Sequence, residues 1–266
     1  MEKFLEHQIG FSEYITGNRF IDICHESEAV FCKTDYLHYF QGSSPKVFIT
    51  HNSDYHIDED LYHRGPACET WFAQNKDCRS DKVVPIPIGI ENMVLRKNKT
   101  SYEGSFSSQV KGAHQKGLLL DKINGLCIEK KDLAYLNFNI STFPGLRKFV
   151  WDNYSNQDWV TVTENLSMEK FYFDIAQHKF VFSPRGNGVD CHRTWEALYL
   201  RTIPIVKKCR HMKEFEDLPI FFVDNWSSPC YNKLNDFYEK VQDKLYDLDK
   251  MKISYWRKRI NEKLSL

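Results

Sequence analysis

The segment Lys179–Lys207, KFVFSPRGNGVDCHRTWEALYLRTIPIVK, limits the possible folds more than any other part of the chain. Phe180-Val181-Phe182 reads as a short buried strand, and Ser-Pro-Arg-Gly-Asn-Gly over 183–188 breaks it. Asp190 is placed to cap a helix that runs to about Leu200, and Thr202–Val206 reads as a second strand. Strand, helix and strand within about thirty residues make a right-handed βαβ unit, whose two strands are parallel. In such units ligands sit beyond the carboxyl ends of the strands. There glycine lets the backbone come close, and a helix N-terminus attracts anions. Arg185 adds a planar guanidinium fork suited to a pyrophosphate.

The remaining chain extends this α/β pattern. Phe20–Cys24, Ala29–Cys32, Lys46–Thr50 and Lys82–Ile88 are apolar runs of strand length, and Asp132–Asn139 and Trp159–Thr163 are two more. Pro144–Tyr154 reads as a helix opening on proline, and Ser167 as the N-cap of a helix to about Gln177. From Arg96 to Gly117 the composition turns to Lys, Ser, Gly, Asn and Gln, which predicts a linker or loop. Leu234, Phe237, Val241, Leu245 and Leu248 fall on one stripe and predict a long amphipathic helix.

Composition excludes several classes. Aromatic residues make up 15% of the 266 residues and 36 basic side chains balance 36 acidic ones, which is not the composition of a disordered chain. A net charge of +0 argues against nonspecific nucleic-acid binding. No run of apolar residues is long enough to span a bilayer, and the start, MEKFLEHQIG, carries charges where a signal peptide needs apolar residues. A soluble cytoplasmic protein is expected. The 8 cysteines form no CxxC pair and are expected to be free, mostly buried thiols.

Gly186-Asn187-Gly188 lacks the third glycine of a dinucleotide fingerprint, and no GKS or GKT occurs. The segment instead resembles the nucleotide-sugar-binding region of exostosin-like glycosyltransferases, the family 47 group with its compact viral and bacterial relatives. The matching residues are Ser183-Pro184-Arg185-Gly186, Arg193, Glu196-Ala197-Leu198 and Ile203-Pro204-Ile205-Val206. Leu218–Trp226 resembles the family's next strand, and Pro87-Ile88-Gly89-Ile90-Glu91 the loop that ends its N-terminal half. The resemblance covers about residues 132–230. Arg201 stands where the family often has glycine, which implies a changed local turn.

The resemblance implies a GT-B fold, α/β, with two Rossmann-like domains facing a cleft. An acceptor-side domain would cover 1–120, and a nucleotide-sugar-binding domain with a terminal helix 121–266. The implied activity moves a sugar from a UDP-sugar (UDP-xylose, UDP-galactose or UDP-glucuronate) to a hydroxyl of a glycan or glycoprotein acceptor, with inversion and no cofactor. The implied donor-site residues are Ser183, Arg185, Gly186, Asn187, Gly188, Asp190, His192, Arg193 and Glu196. Arg185 would face the diphosphate, Arg193 would support that charge, and Glu196 would bond the ribose hydroxyls. A plain Arg193–Glu196 ion pair, three apart on one helix, competes with this reading, and His192 could equally be a cap or core residue. An inverting transfer needs a base for the acceptor hydroxyl. Asp54, after the Lys46–Thr50 strand, is the first choice, with His51, His56 and Glu59 as alternatives.

Metal readings rank lower. Asp58-Glu59-Asp60 and Asp247-Leu248-Asp249 have a DxD look, but neither follows a convincing apolar strand. His51, His56, His63 and Cys68 do not have zinc-site spacing. Two other classes stay open: a binding module that keeps the pocket without a base, and a Rossmann-type oxidoreductase, which would need a full glycine fingerprint.

Overall fold

The structure, a computed structural model, describes residues 9–91, 103–126 and 128–266, with the backbone alone over 103–111. Its first half comprises helix α1 (Gly17–His25), strands β1 (Val30–Lys33) and β2 (Val47–His51), helix α2 (Glu59–Arg64), and strands β3 (Thr70–Ala73) and β4 (Val83–Pro85). After helix α3 (Glu103–Asn124) come β5 (Asp132–Leu136), α4 (Pro144–Tyr154), β6 (Val160–Val162), α5 (Met168–Gln177) and β7 (His178–Phe182). The chain continues through α6 (His192–Tyr199), β8 (Ile203–Lys207), β9 (Phe221–Val223), α7 (Tyr231–Val241) and α8 (Ile253–Ser265).

Two wholly parallel sheets result, in the orders β1-β2-β3-β4 and β6-β5-β7-β8-β9. Parallel strands covered on both faces read as continuous apolar runs, and every residue of β2 is buried. The architecture is α/β with two Rossmann-like units, the GT-B arrangement, and the C-terminal edges of the two sheets meet across a cleft. In the second sheet the chain passes from β5 to one neighbour, β6, then crosses to the other, β7. The crevice beyond β5 and β7 is therefore a topological switch point. One buried apolar cluster joins Ile49 and Phe72 of the first sheet to Val181 and Trp195 of the second unit. Helix α8 returns to the first unit: Lys46 Nζ donates to the Leu264 carbonyl at 3.0 Å, and Arg257 pairs with Glu26.

Several sequence expectations are corrected. Phe20–Cys24 is helical within α1, with Phe20, Ile21 and Ile23 on the buried side. The expected loop at Arg96–Gly117 is helix α3 from Glu103 onward, and residues 96–102 lie outside the described ones. Gly117 sits in that helix because a Cβ there would lie 2.0 Å from the Phe11 ring. The long C-terminal helix stops at Val241, and Leu245, expected on its buried stripe, is 64% exposed. Strand β3 has no counterpart in the sequence reading. Helices α4 and α5 match it, and Ser167 accepts from the Lys170 N–H at 3.3 Å as the N-cap of α5. The seven cysteines among the described residues are free, and Cys127 lies outside them. No helix of the described residues is long and apolar enough to cross a membrane.

Candidate functional site

The strand β7 ends at Phe182, and the next residues cross the cleft floor before α6 begins. Ser183 Oγ lies 2.9 Å from Thr194 Oγ1, which ties the start of this loop to the first turn of α6. Behind the loop stands Arg147 of α4, buried to 5% exposure. Its Nη1 donates to the Asn139 carbonyl at 2.8 Å and its Nε to the Arg185 carbonyl at 3.0 Å. One guanidinium thus holds together the two loops that flank the switch point, those after β5 and β7. Burial, followed by the neighbouring Arg193 charge, pushes the Arg147 pKa down to about 10. Gly186 lies against it: an added Cβ would meet Arg147 Nη2 at 3.3 Å.

A cleft of about 510 Å³ opens here, lined by Gly186, Asn187 and Gly188, by Arg147, Arg193 and Glu196, and by Lys116 and Asp54 of the first half. Arg193 lies 5.6 Å over the Phe138 ring, as does Arg147, and its Nε is buried without a hydrogen-bond partner. Neither arginine forms an ion pair among the described residues. Glu196 does not pair with Arg193. Its Oε1 accepts from Tyr172 Oη at 2.8 Å and from Lys116 Nζ at 3.1 Å. Burial opposes the Glu196 charge, but the Lys116 and His192 fields and the Tyr172 bond outweigh it and hold the pKa below the ordinary value. Lys116 also reaches Glu91 Oε2 at 3.1 Å, and burial of its ammonium is outweighed by the two carboxylates, so its pKa is raised.

His192 opens α6 and donates from Nδ1 to the Gly89 carbonyl at 2.7 Å. Gly89 has φ +69, and a Cβ there would strike the Ile15 carbonyl, so the loop after β4 requires glycine. Arg185 does not line the cleft: its guanidinium stacks 4.7 Å from the Phe143 centroid and donates to His56 Nε2 at 2.7 Å. Asp190 is not the helix cap, since Cys191 holds that position without a side-chain cap bond. The buried Asp190 carboxylate instead accepts from the Ile88 N–H at 2.8 Å and from Trp195 Nε1 at 2.9 Å.

Among the four base candidates, His51 is fully buried, with Nδ1 2.8 Å from Asn52 Oδ1 and Nε2 3.0 Å from the Pro87 carbonyl. No acceptor can reach it. His56 already accepts from Arg185, and Glu59 Oε1 accepts from the Arg79 N–H at 2.8 Å. Asp54 alone of the four lines the cleft, where its Oδ2 accepts from Asn187 Nδ2 at 3.3 Å. In the two DxD-like stretches, Asp58 caps α2 by accepting from the Leu61 N–H, Asp60 pairs with Arg64, and Asp249 with Lys252. Among the described residues no group of three or more His, Cys, Asp or Glu side chains is arranged to hold a metal ion.

Sequence reasoning missed Lys116 and Arg147. Lys116 lies in the stretch read as a linker, and Arg147 binds one carbonyl 8 residues before it and another 38 residues after it, which leaves no sequence motif.

No family model and no curated protein matches the chain. Two solved structures are similar to it in shape at 10% identity. One is a UDP-GlcNAc 2-epimerase from Methanocaldococcus jannaschii, with TM-score 0.38 over 98% of this chain and 85% of that one. The other is AviGT4, a glycosyltransferase involved in avilamycin A biosynthesis, with TM-score 0.35 over 98% of this chain and 95% of that one. Likeness this distant carries no argument about activity, and the site's own geometry must supply it.

Proposed function

We propose that the chain is a glycosyltransferase of the exostosin-like kind. It would transfer a sugar from a UDP-sugar donor to a glycan hydroxyl, with inversion and without a metal ion. The observation that carries this reading is the pair Arg147 and Arg193 at the switch-point crevice. Two guanidiniums share one buried ring, one has an orphaned Nε, and neither has a carboxylate partner among the described residues. Buried charge without a counter-charge is costly, and a site that keeps it is suited to an anionic ligand.

In the reaction, Asp54 takes the acceptor hydroxyl's proton and the oxygen attacks the anomeric carbon. The bond from that carbon to the diphosphate breaks, and the diphosphate's developing charge meets Arg193, Arg147 and the N-terminus of α6. Glu196, anchored through Oε1, would offer Oε2 to the ribose hydroxyls. Arg185 would reach the diphosphate only after leaving His56, so the donor-facing charge is assigned chiefly to the other two arginines.

The test is a thermal-shift and calorimetry series with UDP, GDP, CMP and several UDP-sugars, followed by mass spectrometry of products with glycan acceptors. At about 100 times its dissociation constant a ligand adds roughly 2.7 kcal/mol of stability. Stabilisation by UDP with product formation is expected. Donor binding without product would identify a binding module, and no response to any nucleotide would reject the reading.

A further inference from the structure

Asn75 stands at the point where the two units meet, just past the end of β3. Its backbone has φ +59, a left-handed conformation that asparagine tolerates better than most residues. Its side chain divides its two ends between the units. Nδ2 donates to the Ser53 carbonyl at 3.0 Å, within the loop that carries Asp54. Oδ1 accepts from the Asp190 N–H at 3.0 Å, where the Gly-rich loop ends. The fit is close on the donor side: a Cβ on Gly188 would lie 2.7 Å from Asn75 Nδ2.

Asp190 continues the connection. Its carboxylate accepts from the Ile88 N–H of the first unit at 2.8 Å and lies 3.3 Å from His211 Nε2. His211 is itself fully buried, and its Nδ1 accepts from the Lys76 N–H at 3.2 Å. Three backbone amides, those of Ile88, Lys76 and Asp190, therefore bond to side chains of the opposite unit. A cleft that opened and closed by a hinge would have to break all of them. Two of these bonds are buried and the Lys76 one is partly so, and opening would give up all three at once.

We propose that Asn75 is a positioning residue. It fixes the Asp54 loop against the Gly-rich loop, so that the cleft is assembled before substrate arrives and is not closed by it. The proposal rests on the reading of Asp54 as base and the Gly-rich loop as donor site, but the assembled cleft can be tested without activity.

Hydrogen exchange of the wild-type protein, with and without saturating UDP, reads the three amides directly. They should be protected in the free protein, and UDP should slow them by less than about threefold. Free exchange at all three until UDP is added would overturn the proposal. The substitution Asn75→Asp keeps the acceptor for Asp190 but removes the donor to Ser53 and sets a carboxylate against that carbonyl. It should lower kcat by about tenfold or more with UDP affinity within about twofold, the pattern of lost alignment and not lost binding. Gly188→Ala, which displaces Asn75 from the other side, should give the same kcat defect even if Asn75→Asp fails to fold. Normal kcat in a folded Asn75→Asp or Gly188→Ala variant would overturn the positioning role. Failure to bind UDP at all would instead remove the functional reading and leave the exchange result standing.

Discussion

Lys116 and Glu196 form an ion pair at 3.1 Å whose side chains are only 14% and 6% exposed, and it joins α3 to the floor of the cleft. Removing one member of a buried pair strands the other. Lys116→Met should therefore destabilise the fold by about 3–5 kcal/mol, whereas Lys116→Met with Glu196→Gln should cost clearly less. Chemical denaturation of the two variants checks this. Equal losses would mean that the lysine acts by packing and not by charge.

Arg193 should show opposite effects on stability and binding. Its buried Nε lacks a partner and its charge opposes that of Arg147. Arg193→Met should raise the melting temperature while weakening UDP binding by roughly tenfold or more, as expected where a site keeps charge at the expense of stability. A variant that loses both would show the arginine to be structural.

Arg147 spans two loops with one planar fork, which a lysine cannot reproduce. Arg147→Lys should lose about 1–3 kcal/mol of stability, because carbonyls at Asn139 and Arg185 lose donors. The same variant should bind UDP more weakly. Denaturation and calorimetry on one preparation measure both, and an unchanged fold with unchanged affinity would remove its assigned role.

Burial drives the His51 pKa from 6.5 down to about 4, against weaker opposing bonds to Pro87 and Asn52. The unfolded chain thus binds the extra proton more readily than the folded one. Stability is fully present above the unfolded pKa and falls as pH drops from about 6.5 toward 4, by roughly 3 kcal/mol in all. Denaturant midpoints from pH 8 to pH 4 should show this slope, and a folded His51→Gln variant should flatten it.

Asp58 accepts from the Leu61 N–H at 2.8 Å as the cap of a short helix. Asp58→Ala should then cost about 0.5–2 kcal/mol of stability with transfer activity retained, and activity should survive EDTA. Loss of activity in EDTA with recovery on adding manganese would contradict the proposed metal-free mechanism.

The βαβ unit around the Gly-rich loop was legible because its punctuation is local: an apolar triplet, Pro and Gly, then a helix and a second apolar run. Helices α4 and α5 were legible for the same reason, through Pro144 and Ser167. Phe20–Cys24 misled because apolar residues at 20, 21 and 23 fit a short strand as well as one face of a helix. Gly117 read as a loop marker, although its lack of a side chain makes room for Phe11. Asp190 matched the sequence position of a cap, but its partners are Ile88, 102 residues before it, and His211, beyond the next strand. In the site, the glycine loop, Arg193 and Glu196 were visible as a motif. The contributions of Lys116, Arg147 and Asn75 exist only once distant segments are brought together.

The return of α8 to the first unit has a consequence for how the chain is made. Ile253, Trp256 and Ile260 of α8 belong to the same buried cluster as Val47 and Ile49 of β2, which are synthesised some two hundred residues earlier. A nascent chain leaving the ribosome can pair β1 through β4 and lay α1 against them, but that side of the sheet stays incompletely covered until translation has passed α8. The first unit made is thus among the last to be completed. Its apolar face is the surface a chaperone would meet during synthesis.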